Sequence, residues 1–226
     1  MNNIYIPSNS PEQWKAFLAE PDKQWKSKKS AKELAYCWEQ SNGFPTRIKR
    51  VLNKSKWEDL HKQEILLAIP EFKVPLPGGR RSSQNDLFVL SKSLKDDLFS
   101  IMIEGKVSES FGPTIEDWLK DASNGKKERL TFLIEQLGLS GEMPTDLRYQ
   151  LFHRTVSAIL TAEQFNTNQA MMLVHSFSKK RESLEDFKKF VAFLGAECGE
   201  NEVTKLKNPY CELYIGWVTE PEFYSL

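Results

Sequence analysis

Glu104 and Lys106 stand two positions apart in the motif E-G-K, directly after an alternating apolar stretch. Phe99, Ile101 and Ile103 recur at every second position of that stretch, and this period predicts a β-strand. Alternate residues of a strand point to one face, so we expect the carboxylate and the amine side by side. Such a pair is either a solvated ion pair on an exposed face or part of a metal-dependent hydrolytic site.

Asp86 precedes this strand and begins another β-type run. Mg²⁺ takes hard oxygen ligands from one or two carboxylates and completes its shell with water and substrate phosphate. Two neighbouring strands can bring Asp86 and Glu104 to one such ion, and a nearby lysine can orient the attacking water. Met102 shares the predicted face of Glu104, which indicates a covered face where an unpaired charge would be costly. The pattern therefore favours a site that binds Mg²⁺ or Mn²⁺.

The elements around these residues alternate between strand and helix. The runs DLFVLSK and DLFSIMIEGKV, joined by the polar SLKDD, predict an antiparallel hairpin. A helix is predicted over Lys56–Ala68 before them, and a helix, an Asn-Gly break and further helices up to Thr161 after them. The rest predicts a strand in QAMMLVHSF, a helix in SLEDFKKFVAFLGA and a last strand in CELYIGWV. This order predicts an α/β fold with a central mixed sheet flanked by helices.

Two regions follow from the same pattern. Residues 1–55 predict an N-terminal helical subregion with no evident chemistry, and residues 56–226 predict the α/β core. The two are also compatible with one continuous domain.

Asp86, Glu104 and Lys106, in this order of elements, resemble the PD-(D/E)XK nuclease-like superfamily over roughly residues 56–218. The resemblance implies a restriction-endonuclease-like core with the acid on its second strand and the E-x-K motif on its third. It implies Mg²⁺-dependent hydrolysis of a phosphodiester, with Asp86 and Glu104 as metal ligands and Lys106 positioning the water. Glu64, on the predicted preceding helix, is the candidate for a further ligand or base. Asn85 stands where the superfamily often carries proline.

The whole chain also resembles an uncharacterised bacterial family through the blocks PLPGGRRSSQND, EGKV, LRYQLFHRT and MLVHSF. The third block crowds polar residues onto one predicted helix, without the QxxxY form of some nucleases. The first block is either a flexible turn or a loop whose glycines and arginines approach phosphate. The candidate nucleic-acid contacts are Arg80, Arg81, Gln84, Arg148, Gln150, His153 and Arg154.

The composition limits the partners. The 31 basic residues balance the 31 acidic residues, so nucleic-acid binding would need local patches. The three cysteines have no CxxC spacing, which argues against a zinc site or a disulfide framework and favours the cytoplasm. We expect a nuclease of nucleic acid, DNA ahead of RNA, with no membrane association and compatible with a homodimer. The alternatives are a non-catalytic module that binds nucleic acid or protein, and a hydrolase of another substrate.

Overall fold

One open mixed sheet of six strands organises the computed structural model, which describes residues 10–141 and 143–220. The order across the sheet is β1-β2-β3-β4-β6-β5. The strands are β1 (Glu64–Val74), β2 (Ser83–Lys92), β3 (Leu98–Lys106), β4 (Gln169–Ser176), β5 (Glu202–Leu206) and β6 (Glu212–Thr219).

The first three strands form an antiparallel meander, and β3, β4 and β6 run parallel to one another. The predicted hairpin of β2 and β3 is confirmed. Its turn is closed by Ser93, whose backbone N–H donates to Asp97 O and whose hydroxyl accepts from Lys95 N. The parallel pairing of β3 with β4 requires a long crossover, and helices supply it.

Seven α-helices flank the sheet within the described residues. They are α1 (Pro21–Gln24), α2 (Ser30–Glu39), α3 (Thr46–Lys54), α4 (Ile115–Leu119), α5 (Asn124–Gln136), α6 (Tyr149–Gln164) and α7 (Leu184–Phe193). None of the helices in the described part of the chain is both long and apolar enough to cross a bilayer.

Helices α2 and α3 cover one face of the sheet. Leu34 and Trp38 of α2 and Ile48 of α3 belong to the same buried cluster as Leu87 and Ile103 of the strands. The described part of the predicted N-terminal subregion therefore shares its hydrophobic core with the sheet.

Helix α6 lies against the opposite face. Phe152 and Val156 of this helix are fully buried in a cluster with Phe88 of β2 and Met102 of β3. Burial of both faces gives the sheet the near-continuous apolar strands typical of an α/β fold. The predicted class, a mixed sheet flanked by helices, is confirmed at this level.

One predicted element is wrong, and one strand of the sheet was not predicted. The segment predicted as a helix over Lys56–Ala68 holds a short 3-10 turn, Glu58–Leu60, and then enters β1 at Glu64. The apolar run there is compatible with either state, and pairing with β2 along the strand decides in favour of β. The edge strand β5 was not predicted, because its five residues carry too little alternation.

Candidate functional site

A cleft of about 570 Å³ opens over the ends of β2 and β3, and Asp86, Glu104 and Lys106 all line it. The register pairs Leu87 with Ile103, so the residues next to them, Asp86 and Glu104, lie across from each other on adjacent strands. The three residues predicted from the sequence are thus brought together on one face of the sheet.

Glu71 reaches the same cleft from β1. The pairs Pro70–Leu87 and Phe72–Asn85 flank it and place it across from Asp86. Its φ of 52° lies in the left-handed region, which is strained for a residue with a side chain and is concentrated at functional sites. Gln84 Nε2 donates to Glu71 Oε2 at 2.7 Å. The carboxylate is therefore held in place beside Asp86.

Glu64 lies at the other end of β1. It pairs in register with Lys92, is exposed, and lines a separate depression. Glu71 lies seven positions further along the strand, a distance of about 23 Å. The helical placement that made Glu64 a candidate is wrong, and the structure does not bring its side chain to the cleft.

Glu104 is the centre of a buried ion-pair network. Its Oε1 accepts from Lys106 Nζ at 2.6 Å and from Gln150 Nε2 at 2.7 Å, and its Oε2 accepts from Arg154 Nε. Glu104 is 2% exposed and Lys106 4% exposed. The solvated ion pair left open by the sequence is therefore excluded, since buried charges persist only when they are paired.

The network also explains why Glu104 is ionised. Burial opposes its charge, but Arg154 first and Lys106 second, through charge and hydrogen bonds, hold the pKa of this carboxyl below its ordinary value. Lys106 Nζ contacts Gln150 Oε1 at 3.1 Å and lies 4.8 Å from the centre of the Phe111 ring. Helix α6 thus supplies the partners of both residues of the E-x-K motif.

The two remaining carboxylates behave differently. Burial, followed by the charge of Glu104, raises the pKa of Asp86 to about 7. Burial, followed by the charge of Asp86, raises the pKa of Glu71 to about 8. In both cases the charge of a neighbouring carboxylate disfavours ionisation, which is typical of acids sharing a small space. The pair holds a proton near neutral pH and would release it to a cation.

His153 lines the cleft beside this network. Its Nδ1 lies 2.8 Å from Ser83 Oγ, which also accepts from Ser157 Oγ and Arg154 Nη1. Burial first, and the charge of Arg154 second, lower the pKa of His153 well below its ordinary value. His153 is therefore a neutral hydrogen-bonding residue at neutral pH.

The carboxylates of the cleft can supply two ligands to a hard divalent cation, with the remaining ligands coming from water and substrate. Within the described ranges no group of three or more His, Cys, Asp and Glu side chains is arranged to hold a metal ion. Mg²⁺ needs only one or two carboxylates when water and phosphate complete its shell. Asp86 Oδ2 accepts from Gly105 N at 2.7 Å, and among the described residues the second oxygen of Asp86 and of Glu71 has no hydrogen-bond partner. These two oxygens are the available ligands.

The seven predicted nucleic-acid contacts divide into two groups. Gln84, Gln150, His153 and Arg154 line the cleft. Arg148 instead donates to Asp186 Oδ2 and Gly112 O, both at 2.9 Å, which fixes it as a half-buried ion-pair residue.

Arg80 and Arg81 are exposed and do not line the cleft. Their loop is anchored behind them, because Gly78 packs backbone to backbone against Gly125 at the start of α5. Arg129 of α5 donates to Pro77 O at 2.7 Å. The loop is therefore a fixed turn with two arginines at its surface.

Glu71 is the site residue that the sequence interpretation missed. Leu67, Ile69 and Glu71 occupy alternate positions, so a strand reading would have placed the acid in line with two residues of the core face. The helical interpretation of this segment hid that signal.

No curated protein and no solved structure has significant similarity to the chain. A family model described as a domain of unknown function (DUF6946) matches residues 7–222. That match carries no activity with it. Since it spans nearly the whole sequence, the chain belongs to the DUF6946 family.

Proposed function

We propose that the chain is a metal-dependent phosphodiesterase that acts on nucleic acid, DNA ahead of RNA. The observation that carries the proposal is the pair Glu71 and Asp86, two carboxylates with raised pKa that face a cleft beside Lys106. Acids that line a cleft and whose pKa is shifted by burial and a neighbouring charge are candidate catalytic residues.

The arrangement of strands supports a nuclease-like core. Helix α3 precedes the antiparallel strands β1, β2 and β3, and the α6 crossover leads to β4, parallel to β3. Asp86 lies on the second strand and the E-x-K motif on the third. This is the order that the resemblance to the PD-(D/E)XK superfamily implies.

The charges of the cleft support a cation there. Glu71, Asp86 and Glu104 line the cleft together with Lys106 and Arg154, while Lys23 and Lys29 line it from the N-terminal segment and His153 is neutral. Burial first, and the charge of a neighbouring carboxylate second, raises the pKa of Asp86 and of Glu71. A divalent ion would relieve that repulsion, as bound cations commonly do in carboxylate sites.

Each residue then has a role. Glu71 and Asp86 would hold Mg²⁺ or Mn²⁺, and such an ion would supply polarisation of the phosphodiester and a lowered pKa of water. Lys106 orients the attacking water or stabilises charge on the phosphate. Glu104, implied as a metal ligand by the resemblance, has both oxygens engaged, and we assign it the positioning of Lys106 and Arg154.

Cleavage assays test this proposal. Labelled single-stranded and duplex DNA and RNA are incubated with the protein in Mg²⁺, Mn²⁺ or EDTA. We expect cleavage that requires the metal and is lost in Asp86→Asn and Lys106→Met, with Lys54→Met at an exposed end of α3 as the matched control. Cleavage that survives EDTA or Asp86→Asn would refute it.

A non-catalytic module that binds nucleic acid or protein is the second candidate. The ion pairs of Glu104 favour this candidate, because Lys106 and Arg154 already satisfy its charge and leave no need for a metal ion at this carboxylate. In this case the protein would bind nucleic acid without cleaving it in Mg²⁺ or Mn²⁺.

A further inference from the structure

The cleft over the carboxylates has two side walls. One wall comes from the N-terminal segment and includes Lys23, Lys29 and Ser30. The other comes from the loop after β3, which includes Gly112 and Pro113. The carboxylates, which lie on the strands, form the floor of this cleft, and the two segments border it.

The walls are joined beside the floor. Glu109 Oε1 accepts from Ser30 N at 3.0 Å and from Ser30 Oγ at 3.3 Å, and Glu109 Oε2 accepts from Val107 N at 2.9 Å. One carboxylate thus ties the start of α2 to the loop that leaves β3. These bonds hold the two walls at a fixed separation on this side of the cleft.

The volume of the cleft suits a small ligand or a short stretch of one strand. A volume of about 570 Å³ lies within the range of pockets that take small molecules, and it accommodates about one or two nucleotides. An intact duplex presents two paired backbones and is bulkier than this space, whereas a single strand brings one backbone to the floor. Enzymes that act in a snug pocket, such as nucleobase deaminases, take single strands or nucleotides flipped out of the duplex.

The charge of the N-terminal wall suits a phosphate backbone. Lys23 and Lys29 both line the cleft, although Lys23 Nζ also contacts Glu20 Oε1 at 2.9 Å. Positively charged grooves that follow the backbone are typical of single-strand binding. Lys29, half-buried directly before α2, is the nearer of the two along the chain to Ser30 and the joined wall.

Resting on the proposed function, we propose that the cleft receives one unpaired nucleic-acid strand, with Lys29 contacting a phosphate next to the bond to be cleaved. A preference for single strands over duplex would come from the walls of the cleft, so it can be measured as binding, without any cleavage.

The test separates binding from chemistry. A fluorescein-labelled single-stranded DNA and the same strand closed into a blunt, hairpin-capped duplex are titrated with the protein in Ca²⁺, and anisotropy is recorded. We expect the single strand to bind at least about tenfold more tightly. Equal or tighter binding of the duplex, or no binding of the single strand, would overturn the inference. Preferred binding of the single strand with no cleavage in Mg²⁺ would sustain it and refute the proposed function.

A charge reversal tests the wall itself. Lys29→Glu should weaken binding of the single strand severalfold and lower the slope of log affinity against log salt by about 0.7, the value for one lost phosphate contact. Lys54→Glu, on α3 and outside the cleft, is the matched control and should change neither quantity. If the two variants behave alike, Lys29 does not contact the strand and the inference fails.

Discussion

Glu71 lies across from Asp86 on the neighbouring strand, with its backbone at a φ of 52° and its carboxylate held by Gln84. Both acids are buried in one cleft, and their pKa values are raised first by that burial and second by a neighbouring carboxylate, which is Asp86 for Glu71 and Glu104 for Asp86. Backbone strain, burial and like charge therefore coincide at this one position of the sheet.

The acid pair should make the metal-free protein less stable as pH rises. On folding, the pKa of Glu71 rises from 4.5 to about 8 and that of Asp86 from 3.8 to about 7. At pH values between the unfolded and the folded pKa of each group, the folded state therefore binds more protons than the unfolded state. Stability is then highest below the unfolded values and is lost as pH rises through the folded ones.

The measurement is the Tm in EDTA from pH 7.5 to 9.0, where the buried histidines have a lowered pKa in the folded state and are largely neutral in the unfolded state too, since an unperturbed histidine has a pKa of about 6.5. The double variant Glu71→Gln, Asp86→Asn should lose most of the decline. A Tm that falls equally in both proteins would show that other groups cause it.

Metal binding should release protons at neutral pH. Because Asp86 and Glu71 titrate near pH 7 to 8, a divalent ion must displace about one proton from the pair at pH 7 and almost none at pH 9. Calorimetry of Mn²⁺ binding in buffers of different ionisation enthalpy measures this number. Proton release that is the same at both pH values would mean that the ion binds elsewhere.

Loss of Arg154 should destabilise the fold strongly. Arg154→Met leaves one oxygen of the buried Glu104 without its cation, which typically costs about 3–5 kcal/mol. Arg148→Met breaks a half-buried pair with Asp186 and should cost about 1 kcal/mol or less. Urea unfolding compares the two variants, and similar losses would argue against the buried network.

Gly78 should tolerate a side chain poorly. It has φ +76°, and a Cβ there would collide with the backbone oxygen of Gly125. Gly195 has nearly the same φ, +78°, with nothing within 4 Å of such a Cβ. Both alanine variants carry the conformational cost of about 1 kcal/mol, and Gly78→Ala should lose a further 1–3 kcal/mol, roughly, through the clash. Equal free energies of unfolding would show that the loop is not anchored there.

The hairpin and its motif could be predicted because the physical signal is local. Strict alternation around Glu104 fixes the face of the strand, and the polar link before it fixes the antiparallel partner that carries Asp86. The placement of Glu64 and Glu71 could not be predicted as safely. Their apolar segment is compatible with a helix, and the decision comes from pairing with β2, a contact outside the segment.

The hydrogen-bond partners of Glu104 could not be predicted from the sequence either, for a different reason. Gln150 and Arg154 were recognised as polar residues on one helix, but their contact with β3 depends on how the crossover lays α6 over the sheet. The wall formed by Lys29 depends likewise on packing between distant segments. Sequence spacing carries no information on such distances.

The most direct test of the central claim compares two glutamates of the same strand. Glu71→Gln and Glu64→Gln each replace one carboxyl group of β1 by an amide, and of the two residues only Glu71 lies across from Asp86. The measurement is the Mg²⁺-dependent rate of cleavage of a single-stranded oligonucleotide. We predict a loss of about 10²-fold or more in Glu71→Gln and a rate within about twofold of wild type in Glu64→Gln. A wild-type rate in Glu71→Gln, or a loss confined to Glu64→Gln, would contradict the account.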